Sequence, residues 1–302
     1  MGLPHSTDPS GADYAVVGLP LDGSTLYRTG ARFGPSAIRD MSVMLRGFHR
    51  SHGVDTGVLR GLDYGDCPVV PAYVEASYDA IEKHLEPLVA SDAVPIGLGG
   101  DHSVSLCELR VLARRHGPLG LVQLDAHSDV RDLTLGQRYG AGTPFRRAVE
   151  EGLLDLGRIV QLGLRGGVVQ ASDLTAASDL GFTVVTLEEA RASSPTGLLD
   201  SIRGAIGSGP AFLTIDLDIV DPAFAPGVSS PVVGGLTSSE VVELVRGLTD
   251  ISFVGCDVVE LIPAYDPVGI TALLAATLAW ECIALLALRA SRQQAACKET
   301  LL

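Results

Sequence analysis

The length, composition and charge of the chain favour a globular enzyme and disfavour several other classes. The chain has 302 residues, 46% of them hydrophobic, which is enough for one large α/β domain with a sizeable core. It carries 22 basic and 36 acidic residues, a net charge of −14, which argues against duplex nucleic acid or an anionic membrane as a partner. The five scattered cysteines form no C-x-x-C pair, and the first residues show no signal-peptide pattern, so we expect a cytoplasmic protein.

Short apolar runs alternate with helical patterns along the chain. The β-branched and apolar residues form seven candidate strands, at 15–19, 94–98, 119–124, 159–163, 183–187, 212–215 and 253–259. Patterns between them predict helices that include 72–90, 103–116, 196–206 and 238–248. Strands that are apolar on both faces and separated by helices are typical of a buried parallel sheet. We therefore predict a single domain over residues 1–302, an α/β fold with three αβα layers and a mostly parallel central sheet.

A long apolar stretch at 270–288 is close to the length of a membrane span. Glu281 and two threonines, Thr271 and Thr277, interrupt it. Because polar groups are costly inside a bilayer, we predict a buried core helix here and no membrane partner.

Three groups of metal-ligating side chains follow predicted strands. The first comes after strand 94–98, the second after 119–124 and the third after 212–215. Parallel strands end at the same edge of a sheet, which is where open α/β sheets bind ligands. Side chains at i, i+2 and i+4 of an extended chain point the same way, so each string presents its ligands together. We predict that one cavity gathers six metal ligands: His102, Asp125, His127, Asp129, Asp216 and Asp218.

The number and type of these ligands predict a binuclear metal centre. Buried carboxylates without cations repel each other and lose their hydration at high cost. Four carboxylates and two imidazoles exceed the needs of one divalent ion but suit two ions that share ligands. Oxygen-rich ligation without thiolate favours Mn²⁺ and leaves zinc, iron, cobalt and nickel open. The charges of two divalent ions and four aspartates cancel, so an added hydroxide favours a cationic substrate.

These strings resemble the motifs of a known family. Residues 99–103 read GGDHS, 125–129 read DAHSD and 216–227 read DLDIVDPAFAPG, and all three resemble the ureohydrolases, the arginase and agmatinase superfamily. The resemblance covers nearly the whole chain and is closest to the branch of agmatinase, guanidinobutyrase and proclavaminate amidinohydrolase. It implies two Mn²⁺ per subunit, a small guanidino substrate and a homo-oligomer, either a trimer or a hexamer.

The resemblance also implies a reaction and a role for each ligand. A hydroxide that bridges the two ions would attack the guanidino carbon of agmatine, guanidinobutyrate or a related guanidino acid, which gives urea and an amine. Glu260 would bind the guanidinium, and Asp129 would help to move the proton of the hydroxide. The first ion would take His102, Asp125, Asp129 and Asp216. The second would take Asp125, His127, Asp216 and Asp218.

One position departs from the family pattern. Relatives usually carry a histidine, assigned to proton transfer or substrate contact, where this chain has Ala141. General acid–base help is typically worth roughly 10² to 10⁴ in rate. Direct proton transfer through Asp129 or a water, a different substrate and feeble catalysis are the three alternatives. Feeble catalysis leads to a second hypothesis, a metal-binding scaffold or regulatory protein with the ureohydrolase fold and weak or no turnover.

Arg131 is a second difference, because arginases have an asparagine there that helps to recognise the amino-acid end of the substrate. An arginine at the cavity rim would disfavour the ammonium group of agmatine and favour a substrate carboxylate. The alternative is a surface arginine paired with Asp132.

The five histidines outside the ligand strings are expected to be exposed or to cap helices: His5, His49, His52, His84 and His116.

Overall fold

The computed structural model describes residues 2–300, and its centre is an eight-stranded sheet. The strands in chain order are β1 (Tyr14–Leu19), β2 (Phe48–His49), β3 (Val54–Asp55), β4 (Gly61–Asp66), β5 (Val94–Gly99), β6 (Leu119–Leu124), β7 (Leu154–Leu164), β8 (Thr183–Thr186), β9 (Pro210–Asp216) and β10 (Ser252–Val259). β2 and β3 form a short antiparallel pair. The other strands form the sheet in the order β4-β1-β5-β10-β9-β6-β7-β8, and every neighbouring pair is parallel.

Helices cover both faces of this sheet. In chain order they are α1 (Gly34–Met41), α2 (Val74–Ala90), α3 (Val104–His116), α4 (Pro144–Glu150), α5 (Ala176–Asp179), α6 (Leu187–Ala192), α7 (Pro195–Ile206), α8 (Ser238–Gly247) and α9 (Ile270–Thr300). One layer contains α1, α7, α8 and α9, and the opposite layer contains α2, α3 and α4. The predicted three-layer α/β architecture with a parallel central sheet is therefore confirmed.

Each face of the sheet has its own apolar core because successive side chains of a strand point to opposite faces. In β6, Val122 and Leu124 belong to the core beneath α7 to α9, whereas Leu119 and Leu121 belong to the core beneath α2 to α4. All six residues of β6 are buried, as expected for a parallel strand between two helical layers. With both faces covered, the strand ends are where polar groups can meet a substrate.

All seven predicted strands are present, although β7 begins at Leu154 rather than at 159. The four named helical patterns correspond to α2, α3, α7 and α8. The sequence reading missed β4, whose residues Gly61–Asp66 include two aspartates. β4 is the edge strand of the sheet, where its outer side pairs with an isolated bridge at His5 and not with a full strand, and its polar residues break the apolar pattern.

The apolar stretch at 270–288 forms part of α9. By length and composition the range Ile270–Cys297 is able to cross a membrane, but 72% of its most apolar window is buried inside the fold. α9 packs against α1, α8 and β10, and Glu281 within it is fully buried. The helix is therefore part of the core, as predicted.

Candidate metal centre and active site

The predicted ligands converge at the carboxyl edge of the sheet. β5, β10, β9 and β6 are neighbours in this order. His102 follows β5 after two residues, Asp125 follows β6 directly, β9 ends at Asp216, and Glu260 follows β10 directly. Because parallel strands run in the same direction, four neighbouring strands deliver these side chains to one place.

The first group of ligand atoms surrounds one nitrogen of His102. Its Nδ1 lies 3.1 Å from Asp125 Oδ2, 3.0 Å from Asp129 Oδ2 and 3.3 Å from Asp216 Oδ2. The other nitrogen, Nε2, lies 2.8 Å from Thr214 Oγ1. Nδ1 is buried and has no hydrogen-bond partner within residues 2–300. Three carboxylates around one nitrogen fit a metal ion better than a proton, because a proton is shared with only one of them.

The second group of ligand atoms comes from Asp125, His127 and Asp218, so Asp125 belongs to both groups. His127 Nδ1 is 2.7 Å from Asp218 Oδ2 and 3.7 Å from Asp125 Oδ1. Backbone donors hold these carboxylates in place: the N–H of Asp218 donates to Asp216 Oδ1 at 2.8 Å, and the N–H of Ala126 donates to Asp218 Oδ1 at 2.9 Å. Asp216 belongs to the first group, because its Oδ2 lies 3.3 Å from His102 Nδ1. Its role as a second bridging ligand stays a prediction.

The carboxylates of the two groups outnumber the positive charges around them. Among the side chains of residues 2–297, no lysine or arginine forms an ion pair with them, and their partners are the two histidines. Burial and the neighbouring carboxylates raise the pKa of Asp125 well above its usual range. Burial and the charge of Asp218 raise the pKa of Asp216 to about 7. Asp218 raises the pKa of His127 to about 11. The cluster therefore needs added positive charge, which two divalent ions would provide.

Glu260 lies beside the first group, and one of its carboxylate oxygens has no hydrogen-bond donor among the described residues. Its Oε1 accepts a hydrogen bond from the backbone N–H of His102 at 2.7 Å, and its own N–H donates to Gly100 O at 2.8 Å. Oε2 is buried and has no partner in the described part of the chain. The backbone of Glu260 is left-handed, with φ at 71°, and that of Asp129 is too, with φ at 51°. Left-handed non-glycine residues are uncommon and are concentrated at functional sites.

A cavity of about 980 Å³ opens over the metal ligands. Its lining includes both Arg131 and Ala141, so the two positions that depart from the family pattern face the same space as the ligands. Arg131 is exposed, as the alternative expected, but its pairing with Asp132 is wrong, because Asp132 accepts a hydrogen bond from Arg147 Nη2 at 2.8 Å. The Arg131 side chain has no hydrogen-bond or ion-pair partner within residues 2–300 and is free to contact a ligand.

The sequence reading missed the polar side chains that support the ligands from below. Gln123 Nε2 donates to Asp125 Oδ2 at 2.8 Å, and Gln161 Nε2 donates to Gln123 Oε1 at 2.6 Å. Thr214 contacts His102 as described above. Gln123 and Thr214 each precede an aspartate ligand by two residues, so strand alternation places them on the same face of the sheet. That spacing was the signal available in the sequence.

A second buried cluster of histidine and glutamate side chains lies outside the metal centre, where the β2–β3 hairpin packs against α9. His49 Nε2 is 2.8 Å from Glu281 Oε2, and Arg246 Nη2 is 2.6 Å from Glu281 Oε1. The rings of His49 and His52 stack with centroids 4.5 Å apart. The prediction that the remaining histidines are exposed or cap helices is wrong for His49, which is 1% exposed because it pairs with the buried Glu281.

Comparison with known proteins agrees with this geometry. A family model described as the arginase family matches residues 12–285. The chain belongs to the arginase family. It is 44% identical over 285 residues to the mitochondrial agmatinase of Gallus gallus, in an alignment that covers 94% of this chain and 84% of the relative. It is 42% identical to the mitochondrial guanidino acid hydrolase of Homo sapiens, in an alignment that covers 93% of this chain and 80% of the relative.

Solved structures of arginase-family proteins show the same fold. The proclavaminate amidino hydrolase of Streptomyces clavuligerus is 41% identical and superposes with a TM-score of 0.91 over 95% of this chain and 96% of that one. A formiminoglutamase of Trypanosoma cruzi, whose structure is described as containing Mn²⁺, is 26% identical with a TM-score of 0.83 over 91% of this chain and 94% of that one. The predicted ureohydrolase resemblance and the prediction of a hydrolase of guanidino C–N bonds are confirmed.

Proposed function

We propose that this arginase-family chain is a binuclear amidinohydrolase that uses two Mn²⁺ per subunit to hydrolyse the guanidino group of a small linear substrate to urea and an amine. The position of Glu260 carries this proposal. Glu260 lines the same cavity as His127 and Asp129, and its Oε2 has no partner within residues 2–300. A buried carboxylate oxygen without a donor is suited to the N–H groups of a planar guanidinium.

The two ligand groups fit divalent ions, because the buried Nδ1 of His102 faces three carboxylates and the cluster lacks other cations. Oxygen-rich ligation without thiolate favours Mn²⁺ over softer ions. When bound, a pair of divalent ions lowers the pKa of water and supplies a hydroxide nucleophile at neutral pH. Asp125 belongs to both groups and is the residue best placed to hold the two ions at a fixed separation.

The chain itself orients the substrate and handles the proton. Glu260 is fixed by two backbone hydrogen bonds, so a guanidinium bound to its free oxygen would be held in one orientation. The Asp129 side chain is 12% exposed and lines the cavity, whereas its Oδ2 is 3.0 Å from His102 Nδ1. Asp129 therefore has the position to accept the proton of the attacking nucleophile and return it to the leaving amine.

Ala141 is the reason that we assign the proton route to Asp129. Ala141 lines the cavity, and His127, a predicted metal ligand, is the last histidine of the sequence, so no later imidazole replaces the missing one. Replacing Ala141→His adds an imidazole at the position where relatives carry one. If the missing group limits the rate, turnover of a confirmed substrate rises by up to about 10²-fold. Unchanged turnover would mean that Asp129 already meets the need for proton transfer.

The tail of the substrate is the finer part of the proposal. Arg131 faces the cavity with an unpaired guanidinium, so we propose a carboxylate at the end of the substrate remote from the guanidino group, as in guanidinobutyrate, over the ammonium of agmatine. A relative named guanidino acid hydrolase is consistent with such a tail.

The tail preference is tested with Arg131→Gln, with Arg114→Gln on the outer face of α3 as the matched surface control. We expect the wild type to favour guanidinobutyrate over agmatine in kcat/KM and Arg131→Gln to reduce that ratio about tenfold. Equal kcat/KM values for the two substrates in the wild type would contradict the assignment of Arg131.

The whole proposal is tested by measuring urea after Mn²⁺ loading, with agmatine, arginine, guanidinobutyrate and guanidinopropionate as substrates. Glu260→Gln is expected to lose about 10²-fold in kcat/KM, because it removes the charge that pairs with the guanidinium. Urea from none of these substrates would favour the scaffold hypothesis. Glu260 disfavours that hypothesis, because a metal-binding scaffold needs the six ligands but has no need of a buried carboxylate that faces the cavity without a partner.

Assembly and location complete the proposal. The homo-oligomer, a trimer or hexamer, and the cytoplasmic location rest on the family resemblance and on composition. Light scattering of the purified chain would measure the assembly size, and a monomer would contradict it.

A further inference from the structure

Arg165, which follows β7 directly, connects the two segments that carry the second group of metal ligands. Its backbone N–H donates to Ala126 O at 3.2 Å, and Ala126 lies between Asp125 and His127 in the chain. Its side-chain Nη2 donates to the backbone oxygen of Asp218 at 2.5 Å. A single residue therefore contacts the backbone on both sides of this ligand group.

These contacts close a ring of three hydrogen bonds. The third is made within the ligand group, because the N–H of Ala126 donates to Asp218 Oδ1 at 2.9 Å. The ring runs from Arg165 to Ala126, then to the Asp218 carboxylate, and from the Asp218 backbone oxygen back to Arg165. His127 Nδ1 lies 2.7 Å from the other carboxylate oxygen of Asp218, Oδ2. The ring therefore restrains the separation of His127 and Asp218, the two ligands that belong only to the second group.

The same nitrogen of Arg165 also holds the loop at 228–236. Nη2 donates to Val232 O at 2.8 Å. Gly235 leaves room for it, since a Cβ atom at Gly235 would lie 2.5 Å from Nη2. A terminal guanidinium nitrogen carries two N–H groups, so Nη2 can donate to the carbonyl groups of Asp218 and Val232 together. Asp218 is therefore fastened to a second loop as well as to Ala126.

The Arg165 guanidinium does not compete with a metal ion for the ligand oxygens. Its hydrogen bonds within residues 2–297 all go to backbone oxygens, those of Gly163, Asp218, Val220 and Val232. The carboxylate of Asp218 is left to His127 and to the N–H of Ala126. This arrangement suits a group that positions a ligand and leaves its carboxylate available.

We propose that Arg165 is a positioning residue of the second metal site: its guanidinium holds Asp218 against Ala126 and the loop at 228–236, so that Asp218 and His127 keep the separation at which they bind an ion. The inference rests on the two-ion centre of the proposed function. Contacts behind metal ligands typically contribute 10- to 100-fold in metal affinity. Because the ring includes no atom of the first ligand group alone, loss of Arg165 should weaken one of the two sites.

Two variants of Arg165 separate positioning from a simple effect of charge. Arg165→Met removes both the charge and the donors, whereas Arg165→Lys keeps the charge on a shorter side chain without the planar fork. We expect the affinity for the second Mn²⁺ to fall about 10-fold in both, and that for the first to stay within about twofold of wild type. If the charge alone matters, Arg165→Lys should bind as the wild type does.

Arg191→Met is the matched control. Arg191 Nη2 donates to Gly235 O at 2.8 Å, so it fastens the same loop, but it makes no hydrogen bond to Asp218 within residues 2–297. We expect both Mn²⁺ affinities of this variant to stay within about twofold of wild type. A 10-fold loss in Arg191→Met would show that the loop, and not the contact with Asp218, is what matters.

Electron paramagnetic resonance of Mn²⁺ gives a readout that does not depend on turnover. With two equivalents of Mn²⁺, the wild type should show the spectrum of a coupled pair of ions. Arg165→Met should show a single bound ion together with the signal of free Mn²⁺. A coupled spectrum with wild-type affinity in Arg165→Met overturns the inference, and a raised KM alone would make Arg165 a substrate contact instead. Equal losses at both sites also overturn it.

Stability and stoichiometry keep these outcomes distinct. Should Arg165→Met fail to fold, Arg165→Lys decides between positioning and charge by the same two measurements. A wild type that binds fewer than two Mn²⁺ would contradict the proposed function itself, whereas a two-ion wild type with unaffected Arg165 variants contradicts only the role of Arg165.

Discussion

The metal centre and the His49–Glu281 group are both buried clusters of histidine and acid, but they differ in how their charge is balanced. In the His49–Glu281 group, Arg246 reaches the carboxylate from within the protein at 2.6 Å, and His49 occupies the other oxygen. In the metal centre, four aspartates face two histidines, and no arginine or lysine side chain of residues 2–297 pairs with them.

This difference teaches how to separate a ligand site from a structural ion-pair network. Both clusters contain enough histidine and acid, close enough together, to hold a metal ion. A network that carries its own cation is complete without a ligand, whereas one with excess carboxylates and a bare imidazole nitrogen is complete only with cations. Charge balance therefore discriminates between two clusters that residue type does not.

The largest expected effect comes from Asp125→Asn, which removes the carboxylate shared by both ligand groups. Urea production should fall by at least about 10³-fold, because the ions lose the ligand that holds them together. Without metal, the same variant should unfold at or above the melting temperature of the metal-free wild type, because it removes one of four crowded carboxylates. Calorimetry of the metal-free forms measures this, and a large loss of stability would contradict the assigned charge imbalance.

The matching substitution in the other cluster should have the opposite effect on stability. Glu281→Gln leaves Arg246 and His49 without their buried counter-charge, and we expect a loss of roughly 3 kcal/mol in the free energy of unfolding. Urea denaturation measures this directly, and kcat should be unchanged. A stable Glu281→Gln protein would show that the network does not depend on its charge.

Removal of metal is the next step down in effect. When the free Mn²⁺ concentration is about 100 times the Kd of a site, binding at that site stabilises the fold by about 2.7 kcal/mol. Chelation should therefore lower the melting temperature of the wild type but not that of Asp125→Asn. An equal decrease in both would place the stabilising ion outside the predicted centre.

The smallest effect concerns pH. Asp218 raises the pKa of His127 to about 11, so the metal-free protein holds a proton there at neutral pH, and an ion has to displace it. Mn²⁺ affinity should consequently increase with pH, by up to about tenfold per unit for each proton released. The sign for stability is opposite: the His127–Asp218 pair stabilises the metal-free fold fully below about pH 6.5 and progressively less as pH rises toward 11. Affinity that is independent of pH between 6 and 8 would contradict this account.

The sequence was sufficient to predict the parallel sheet and the residues of the ligand cluster because both follow from simple periodicities. Buried strands show as apolar runs, and ligands at i, i+2 and i+4 after such runs face one cavity. Glu281 was harder to interpret, because a single acid in a helix gives no sign of its partner. Arg246, which balances the charge of Glu281, lies 35 residues away along the chain, and only the tertiary fold brings the two together.

Arg131 illustrates the same limit on a smaller scale. Its neighbour Asp132 is the obvious partner by sequence, but Asp132 accepts a hydrogen bond from Arg147 of α4 instead, and Arg131 lines the cavity. Local charge patterns in loops therefore predict ion pairs poorly, because loop direction decides which neighbour an arginine meets.

The left-handed backbone at Asp129 and Glu260 limits how this enzyme can change. A non-glycine residue in this conformation costs roughly 1 to 2 kcal/mol, and a β-branched one costs more. Selection for new activities would therefore accept few residues at these two positions, and most diversity should accumulate on the cavity wall instead. Asparagine adopts this conformation more readily than most residues, so Asp129→Asn is the variant that changes the chemistry at position 129 while preserving the path of the chain.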